Sequence, residues 1–550
     1  MTLFSRKNTL LCYLIILSTI VACDKVDVVG TPHQNESQTP SPQTTSPTMP
    51  NNDGANGELI LGSTVVNKHW DVHLSTSPTL AAFGPGIVYS RLLRFDSQSH
   101  EYPTSSTECD VCSSWEYRNS NTYVFTIKND VFWHDVPPVS GRPMNVNDVV
   151  YSINRQRNPQ NPNSQLLKSI KNVEALSQQK IKIDLHKPDA DFLFNLANGL
   201  NKIVAPEAVD STGDLKQGPV IGTGPWIWEG TRQDIGYFFR ANDQYHEPNM
   251  PGLDRLKILN IPNEQTLVAA FMTRKIDLIE TPNEYLYDIL ELDRNISHLI
   301  YQETGVGLEM ALNTSRPPLD QPLVREALFK AIDPWKAIDD VWGGLGFVSS
   351  GIPTSEPTWE LSTTELRDYL GNQEESLNLI ESLTETQIPL ELTIADYGDK
   401  HLEYGVYVGN QLREVGFDIT TSVINPTDYP EKIWYEGDYQ MFIGPKAPVA
   451  TANMYLFSVI HSKGKWNTHR YKNNALDSLI NDQSTTNDRN ERKDIILDIQ
   501  REIMENSVRF MPLTKVSTWV WWPEVGNFNP NLAANEYIYL AKIQKVIQSQ

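Results

Sequence analysis

Apolar and polar residues alternate along GELILGSTVV from Gly57, and again along TYVFTIKNDVFWHD and QKIKIDLHKPD, which predicts strands with one buried face. Elsewhere the period becomes that of a helix. In MNVNDVVYSINRQRNP, Val146, Val149, Val150 and Ile153 fall at i, i+3, i+4 and i+7, on one side of a helix that should stop before Pro159. LVREALFKAIDP repeats this spacing with Val324, Ala327, Leu328 and Ala331, leaving Arg325 and Glu326 for the solvated side. VGNQLREVGFDITTSV joins a helical face of Val408, Leu412 and Val415 to a stop at Gly416 and a strand through Phe417, Ile419 and Thr421. Alternation of helix, turn and strand, without an internal repeat, predicts an α/β fold.

The chain's start follows another pattern. Arg6 and Lys7 precede a mostly apolar run from Leu10 to Val21 and a small residue, Ala22, the layout of a cleaved signal over residues 1–22. A bilayer span takes roughly 20 apolar residues, so this run is too short to cross comfortably. Ile20-Val21-Ala22-Cys23 resembles a bacterial lipobox, which makes Cys23 the expected lipid acceptor and membrane anchor; an ordinary cleaved signal is the alternative. Asp24 stands where, in lipoproteins of enteric-type Gram-negative bacteria, aspartate implies retention at the inner membrane. Residues 23–57 are rich in Ser, Thr, Pro, Asn and Gln, too polar to offset the entropy of ordering, and read as a tether. As a flexible coil it spans roughly 30 Å.

The rest of the 550 residues suffices for two or three domains. With 46 basic and 68 acidic side chains the formal charge is −22, which argues against a nucleic-acid partner. Of four cysteines, Cys12 lies in the signal and Cys23 takes the lipid, leaving Cys109 and Cys112 as CDVC, a disulfide or a free thiol pair. A redox dithiol or half a zinc site is the sharper alternative, but zinc normally takes four ligands and no second CxxC is present. The 11 His are scattered, and neither metal nor cofactor is expected. No GxSxG, HExxH, Walker or GxGxxG sequence is present, so no residue is assigned to catalysis and no enzyme is expected. The abundance of Asp and Glu leaves a glycosidase-like carboxylate pair open, and the 13 Trp suit either sugar stacking or core packing.

Nine segments in order carry a resemblance: IVYSRLLRFDSQSHEY, SSWEYRNSNTYVFTIKNDVFWHD, PMNVNDVVYSINRQRNP, VIGTGPWIWEG, DQYHEPNMPGLDRLKI, RKIDLIE, NTSRPPLDQPLVREALFKAID, QLREVGFDI and ERKDIILDIQREIMENSVRFMPL. At these separations the chain resembles the family 5 periplasmic solute-binding proteins of ABC importers, which include dipeptide, oligopeptide and nickel binders. The resemblance implies a clamshell of the periplasmic binding protein type. One lobe would be built from residues 58–79, 196–305 and 515–550, a smaller inserted domain from 80–195, and the second lobe from 306–514. It also implies a monomer that traps solute between the lobes and passes it to a permease served by an ATPase. Within these segments GTGPW reads as a turn whose glycines, Gly222 and Gly224, supply unusual backbone angles.

Peptide binders of this family present an ammonium-binding aspartate from a segment like GDYDM followed by GW-x-x-D. Here the stretch is GDYQMFIGPKAPVATANMYLF: Gln440 replaces the strand's aspartate, Pro445 stands where tryptophan is expected, and Pro448 falls about where the anchor should be. Enclosing a free α-ammonium without a carboxylate costs several kcal/mol, so either another acid substitutes or the ligand is not an ordinary peptide. Lys446, if it faces the cleft, favours an anionic or polar group; facing water, it says nothing. Tyr435, Met441, Gly444, Pro445, Lys446 and Trp466 are the expected contacts from one side, with Trp70 and Phe83 from the other. A peptide or peptide-like solute is the expected cargo. An oligosaccharide or other polar solute is the runner-up, and a sensor without transport or a lipid-anchored hydrolase would be a different use of the chain.

Overall fold

The computed structural model describes residues 57–96, 105–232, 235–354, 356–383, 388–449, 451–531 and 533–545. The expected signal, Cys23 and all of the tether but Gly57 lie outside the described residues. Among those described, no helix is long and apolar enough to cross a membrane.

One eleven-stranded sheet runs through the body. From one edge its order is Phe417–Ile424, Ile388–Ala395, Met441–Pro445, Ser297–Leu312, Arg509–Trp521, Leu278–Thr281, Glu58–Ser63, Arg255–Asn260, Gly236–Ala241 and Trp226–Arg232, with Phe347–Ser349 added beside Arg509–Trp521. Apolar side chains divide this sheet into two cored bodies. Leu59, Leu61, Leu256 and Ile258 join a cluster that extends to Trp519 and Tyr539, whereas Leu308, Met310, Leu392, Ile443 and Phe510 belong to another. The first lobe also carries a four-stranded antiparallel sheet ordered Cys112–Asn119, Thr122–Ile127, Lys180–Leu185 and Ile170–Ala175. Its Phe125, Ile181 and Ile183 are fully buried in the first lobe's core, which welds the small sheet to that lobe.

The sequence periods produce these elements for local reasons. Asn145 caps helix Val146–Gln156 in a capping box with Asp148, satisfying amide donors that the first turn leaves free. Helix Asp399–Glu414 buries Tyr404, Val408 and Leu412, and Gly416 at φ 106° releases the chain into strand Phe417–Ile424. The alternation through TYVFTIKNDVFWHD breaks earlier than its pattern predicts. The strand ends at Ile127, and Trp133 turns into the core with its indole donating to Asp148, 3.2 Å away.

Two expectations need correction. Arg325 is not solvated: it is buried, and its guanidinium donates to the carbonyls of Leu319 at 2.9 Å and Asn506 at 3.1 Å, tying helix Pro322–Ala331 to its surroundings. Gly222 and Gly224 do not have left-handed backbones. They are small because a Cβ at either position would overlap the Val88 carbonyl, against which this turn is packed.

The two bodies are joined by the long strands Ser297–Leu312 and Arg509–Trp521, whose pairing shifts register between Gln302 and Gly307. In that interval Gly305 adopts φ 67°, and its Cβ would lie 2.6 Å from the Pro353 Cα. Gly307 adopts φ 151°, and its Cβ would overlap the carbonyl oxygen of Leu513. Only glycine meets both demands, so the crossing point is a fixed feature of the backbone.

Candidate functional site

Ligand chemistry should lie beside the crossing strands, where both bodies supply side chains. On the second lobe, Leu308 pairs with Pro445, so strand Met441–Pro445 delivers Lys446 to the edge nearest the crossing. The lysine is tucked in. Its Nζ donates to the Val449 carbonyl at 2.7 Å and lies 5.6 Å from the Tyr455 ring, and lost hydration lowers its pKa to about 8. Glu309 offsets part of that shift and Arg509 adds to it. Beneath it Tyr455 donates to Glu309 at 2.5 Å and Arg509 Nε does so at 3.1 Å, with a second Arg509 nitrogen on the other carboxylate oxygen. Lys446 therefore does not face open water, and among the described residues no carboxylate forms an ion pair with it.

Other expected contacts of this lobe separate. Met441 is fully buried with Leu392 and Ile443, so it is a core residue and not a contact. Gly444 is packing too, since a Cβ there would lie 2.5 Å from the Tyr429 hydroxyl. Pro445 contributes its carbonyl, which accepts from Tyr429 at 2.9 Å and Trp434 at 3.3 Å. Tyr435 is exposed and meets the buried Trp466 edge-on at 6.4 Å.

On the first lobe, Trp70 is half-buried, packed among Trp228 and Tyr237 at 5.9 and 5.7 Å against the core. Phe83 is better placed: its ring lies 5.4 Å from that of Trp519 on the crossing strand Arg509–Trp521. In register, Trp519 faces Leu299 on one side and Glu280 on the other, while Ser517 faces Tyr301. These side chains share one face of the sheet, because directly opposed residues point the same way and the period along a strand is two. Ser517 donates to Glu303 at 2.5 Å, and Lys515 lies 3.2 Å from the same carboxylate. Patterning alone did not single out Glu280, Glu303, Glu309 or Arg509; the available signal was a charge inside an otherwise apolar strand, as in GLEMALN and VRFMPL.

Direct contacts also tie the bodies together. Arg492 reaches Asp191 at 2.5 Å and the Ala190 carbonyl at 3.1 Å, Asn453 donates to Asp189 and Asp191 at 3.1 Å, and Ala190 donates to the Ser484 carbonyl at 2.9 Å. Cys109 and Cys112 form a disulfide next to Asp110. Asp110, His246 and Glu247 bring ligand atoms within 4.8 Å of one another, a spacing a metal could use. Arg94 already holds both Glu247 oxygens, at 2.5 and 3.1 Å, so a guanidinium stands where the cation would be needed. A polar groove of about 240 Å³ lined by Arg316, Asn425, Asp428 and Asp438 lies at the outer edge strand of the second lobe, away from the crossing.

This architecture defines a two-lobed clamshell of the periplasmic binding protein class. Residues 108–468 match the bacterial extracellular solute-binding proteins, family 5, and the chain belongs to that family. Among its relatives is heme-binding protein A of Haemophilus influenzae, 25% identical over 457 residues that cover 78% of this chain and 81% of the relative. The dipeptide-binding protein of Escherichia coli is 26% identical over 329 residues, 56% of this chain and 59% of the relative. Among solved structures, HbpA2 from Haemophilus parasuis superposes with a TM-score of 0.77 at 20% identity, covering 89% of this chain and all of that one. DppA from Helicobacter pylori in complex with the peptide STSA gives 0.63 at 21%, over 89% of this chain and 98% of that one.

Proposed function

We propose that this protein is the cargo-capturing component of an ABC importer for peptides or peptide-like solutes. It works as a monomer, anchored by lipid on Cys23 at the periplasmic face of the inner membrane, and hands cargo to a permease and its ATPase. The lobes carry the bounds set out from the sequence, 58–79 with 196–305 and 515–550, the inserted 80–195, and 306–514. The observation that carries this reading is membership of the solute-binding family together with relatives named for dipeptides and tripeptides. Physically, a ligand that touches both lobes shifts the population toward a closed form, and only such differential contact can do so. Tethering beside the permease raises the effective concentration, so modest affinity suffices.

Native mass spectrometry of gently purified protein tests the cargo, followed by thermal shift with each released compound. A retained peptide supports the reading; a sugar or an inorganic anion overturns it. The long match to a heme-binding relative supports a second cargo, so hemin belongs in the same assay, read by its visible absorption.

A further inference from the structure

Glu280 lies on strand Leu278–Thr281 of the first lobe, which pairs directly with the crossing strand Arg509–Trp521. Its carboxylate is exposed, and no basic side chain pairs with it among the described residues: Lys515 sits 3.2 Å from Glu303 instead. The Ser517 hydroxyl lies between the two acids: it donates to Glu303 at 2.5 Å and is also within hydrogen-bonding reach of Glu280. Two carboxylates thus share one exposed lysine and one hydroxyl, and Glu280 is the one with no cation of its own among the described residues. Protein crowds it even so, since loss of hydration raises its pKa and the charge of Glu303 raises it further, against the opposing influence of Ser517 and Lys515.

Around it stand aromatic groups whose polar atoms are unused. Trp519, directly opposite Glu280 in register, is 2% exposed and its indole N–H has no partner. The Tyr539 hydroxyl, 3% exposed, is also unpartnered; burial pushes its pKa up, and the nearby charges of Glu536 and Glu280 push it further. Phe83 and Phe528 flank Trp519 at 5.4 and 5.8 Å, and Phe528 reaches Tyr539 at 5.9 Å. The result is a carboxylate beside aromatic rings, with one group that can only donate, Trp519, and one that can donate or accept, Tyr539.

Such a set complements a primary ammonium with a carbonyl next to it. The ammonium gains charge-assisted bonds to a carboxylate and the field of the ring faces, while the indole N–H is free for the carbonyl oxygen. An anion here would meet two carboxylates, and a neutral sugar would offer Glu280 only uncharged hydroxyl donors, weaker than the charge-assisted bonds of an ammonium. We propose that Glu280, backed by Glu303, is the anchor for a free amino terminus of the cargo, with Trp519 and Tyr539 positioned for the adjacent carbonyl and amine. This rests on the peptide reading above and deepens it: the acid absent from the GPKAPV loop of the second lobe is supplied by the first.

The test uses the full-length protein and an equimolar mixture of di- and tripeptides, offered with free or with acetylated amino termini, read by native mass spectrometry at pH 7.5. Wild type should retain free-amine peptides in preference to acetylated ones. Glu280→Gln, isosteric at an exposed position, should cut free-amine occupancy at least about tenfold and leave acetylated peptides unchanged, with Glu303→Gln giving a smaller loss. Circular dichroism checks that the variants fold. Capture of free-amine peptides by Glu280→Gln at the wild-type level, or wild-type preference for acetylated peptides, overturns the anchor and leaves the peptide reading standing. Wild-type capture of neither set overturns the peptide reading, and the anchor with it.

Discussion

Arg492, on the second lobe's helix Arg489–Glu505, places a guanidinium nitrogen 2.5 Å from Asp191 of the first lobe, with both side chains nearly buried. Gln483 accepts from the same guanidinium at 3.1 and 3.2 Å, and Asn453 donates to Asp191. A charge pair this well bonded between two bodies acts on their relative motion as well as on stability, because each partner is left uncompensated when the lobes separate there. Arg492→Ala is expected to lower stability by about 3 kcal/mol and to broaden the interlobe distance distribution. Double electron–electron resonance between one spin label on each lobe measures the second effect. An unchanged distribution would show that the crossing strands alone fix the arrangement.

The crossing itself makes a sharper prediction. Gly307→Ala combines a positive φ with overlap against the Leu513 carbonyl, whereas Gly213→Ala has a φ of 84° with open space around it. The control should cost about 1 kcal/mol. Gly307→Ala should cost about 3 kcal/mol or more in urea titrations, because the obstacle is backbone and cannot rotate away. Equal midpoints for the two variants would remove the steric argument.

Much of this fold was legible from periodicity, and the reason is visible in particular residues. Val146, Val149 and Ile153 all face the core because a helix has one period and one buried side, Asn145 marks the helix start through its capping side chain, and Gly416 marks an end through a positive φ that few other residues adopt. The site was less legible. Met441 reads like a contact from its segment, yet alternation along a strand buried on both faces gives no sign of which side holds ligand, and it is core. Phe83 was among the expected contacts, but Trp519, which the fold sets beside it, is more than four hundred residues away in sequence. Arg325 misled for a related reason: helical spacing shows where the apolar stripe lies, not that two carbonyls wait for a guanidinium on the other side.

Glu309 and Arg509 form a buried pair inside the second lobe's sheet, at 1% and 4% side-chain exposure. Removing one partner strands the other. Arg509→Met should destabilise by about 3–5 kcal/mol, while the double variant Glu309→Leu with Arg509→Met should recover at least half of that loss, because no unpaired charge remains. Chemical denaturation of the two single variants and the double variant measures the coupling. Additive losses would mean that the two charges do not act as a pair.

Glu360 gives a prediction with a defined pH window. Its carboxylate accepts from Thr354 at 3.0 Å and Ser350 at 3.4 Å, and among the described residues no basic side chain pairs with it. Burial raises its pKa to about 7 from the ordinary 4.5, the three hydrogen bonds from Thr354 and Ser350 opposing without cancelling that effect. Between those two values the folded chain holds a proton that the unfolded chain has lost, so stability falls as pH rises through the window. Below pH 4.5 the group contributes no penalty, and above about 7 the full cost of a buried charge is present. Glu360→Gln keeps the shape and removes the charge. It should leave the melting temperature nearly unchanged at pH 4.5 and stabilise the protein by about 1–3 kcal/mol at pH 8, the gain growing steadily in between. Calorimetry of the two proteins at pH 4.5, 6 and 8 measures this directly. A difference that does not vary with pH would mean that Glu360 has an ordinary pKa in the folded chain, and that the two hydroxyls and the local backbone stabilise its ionised form fully.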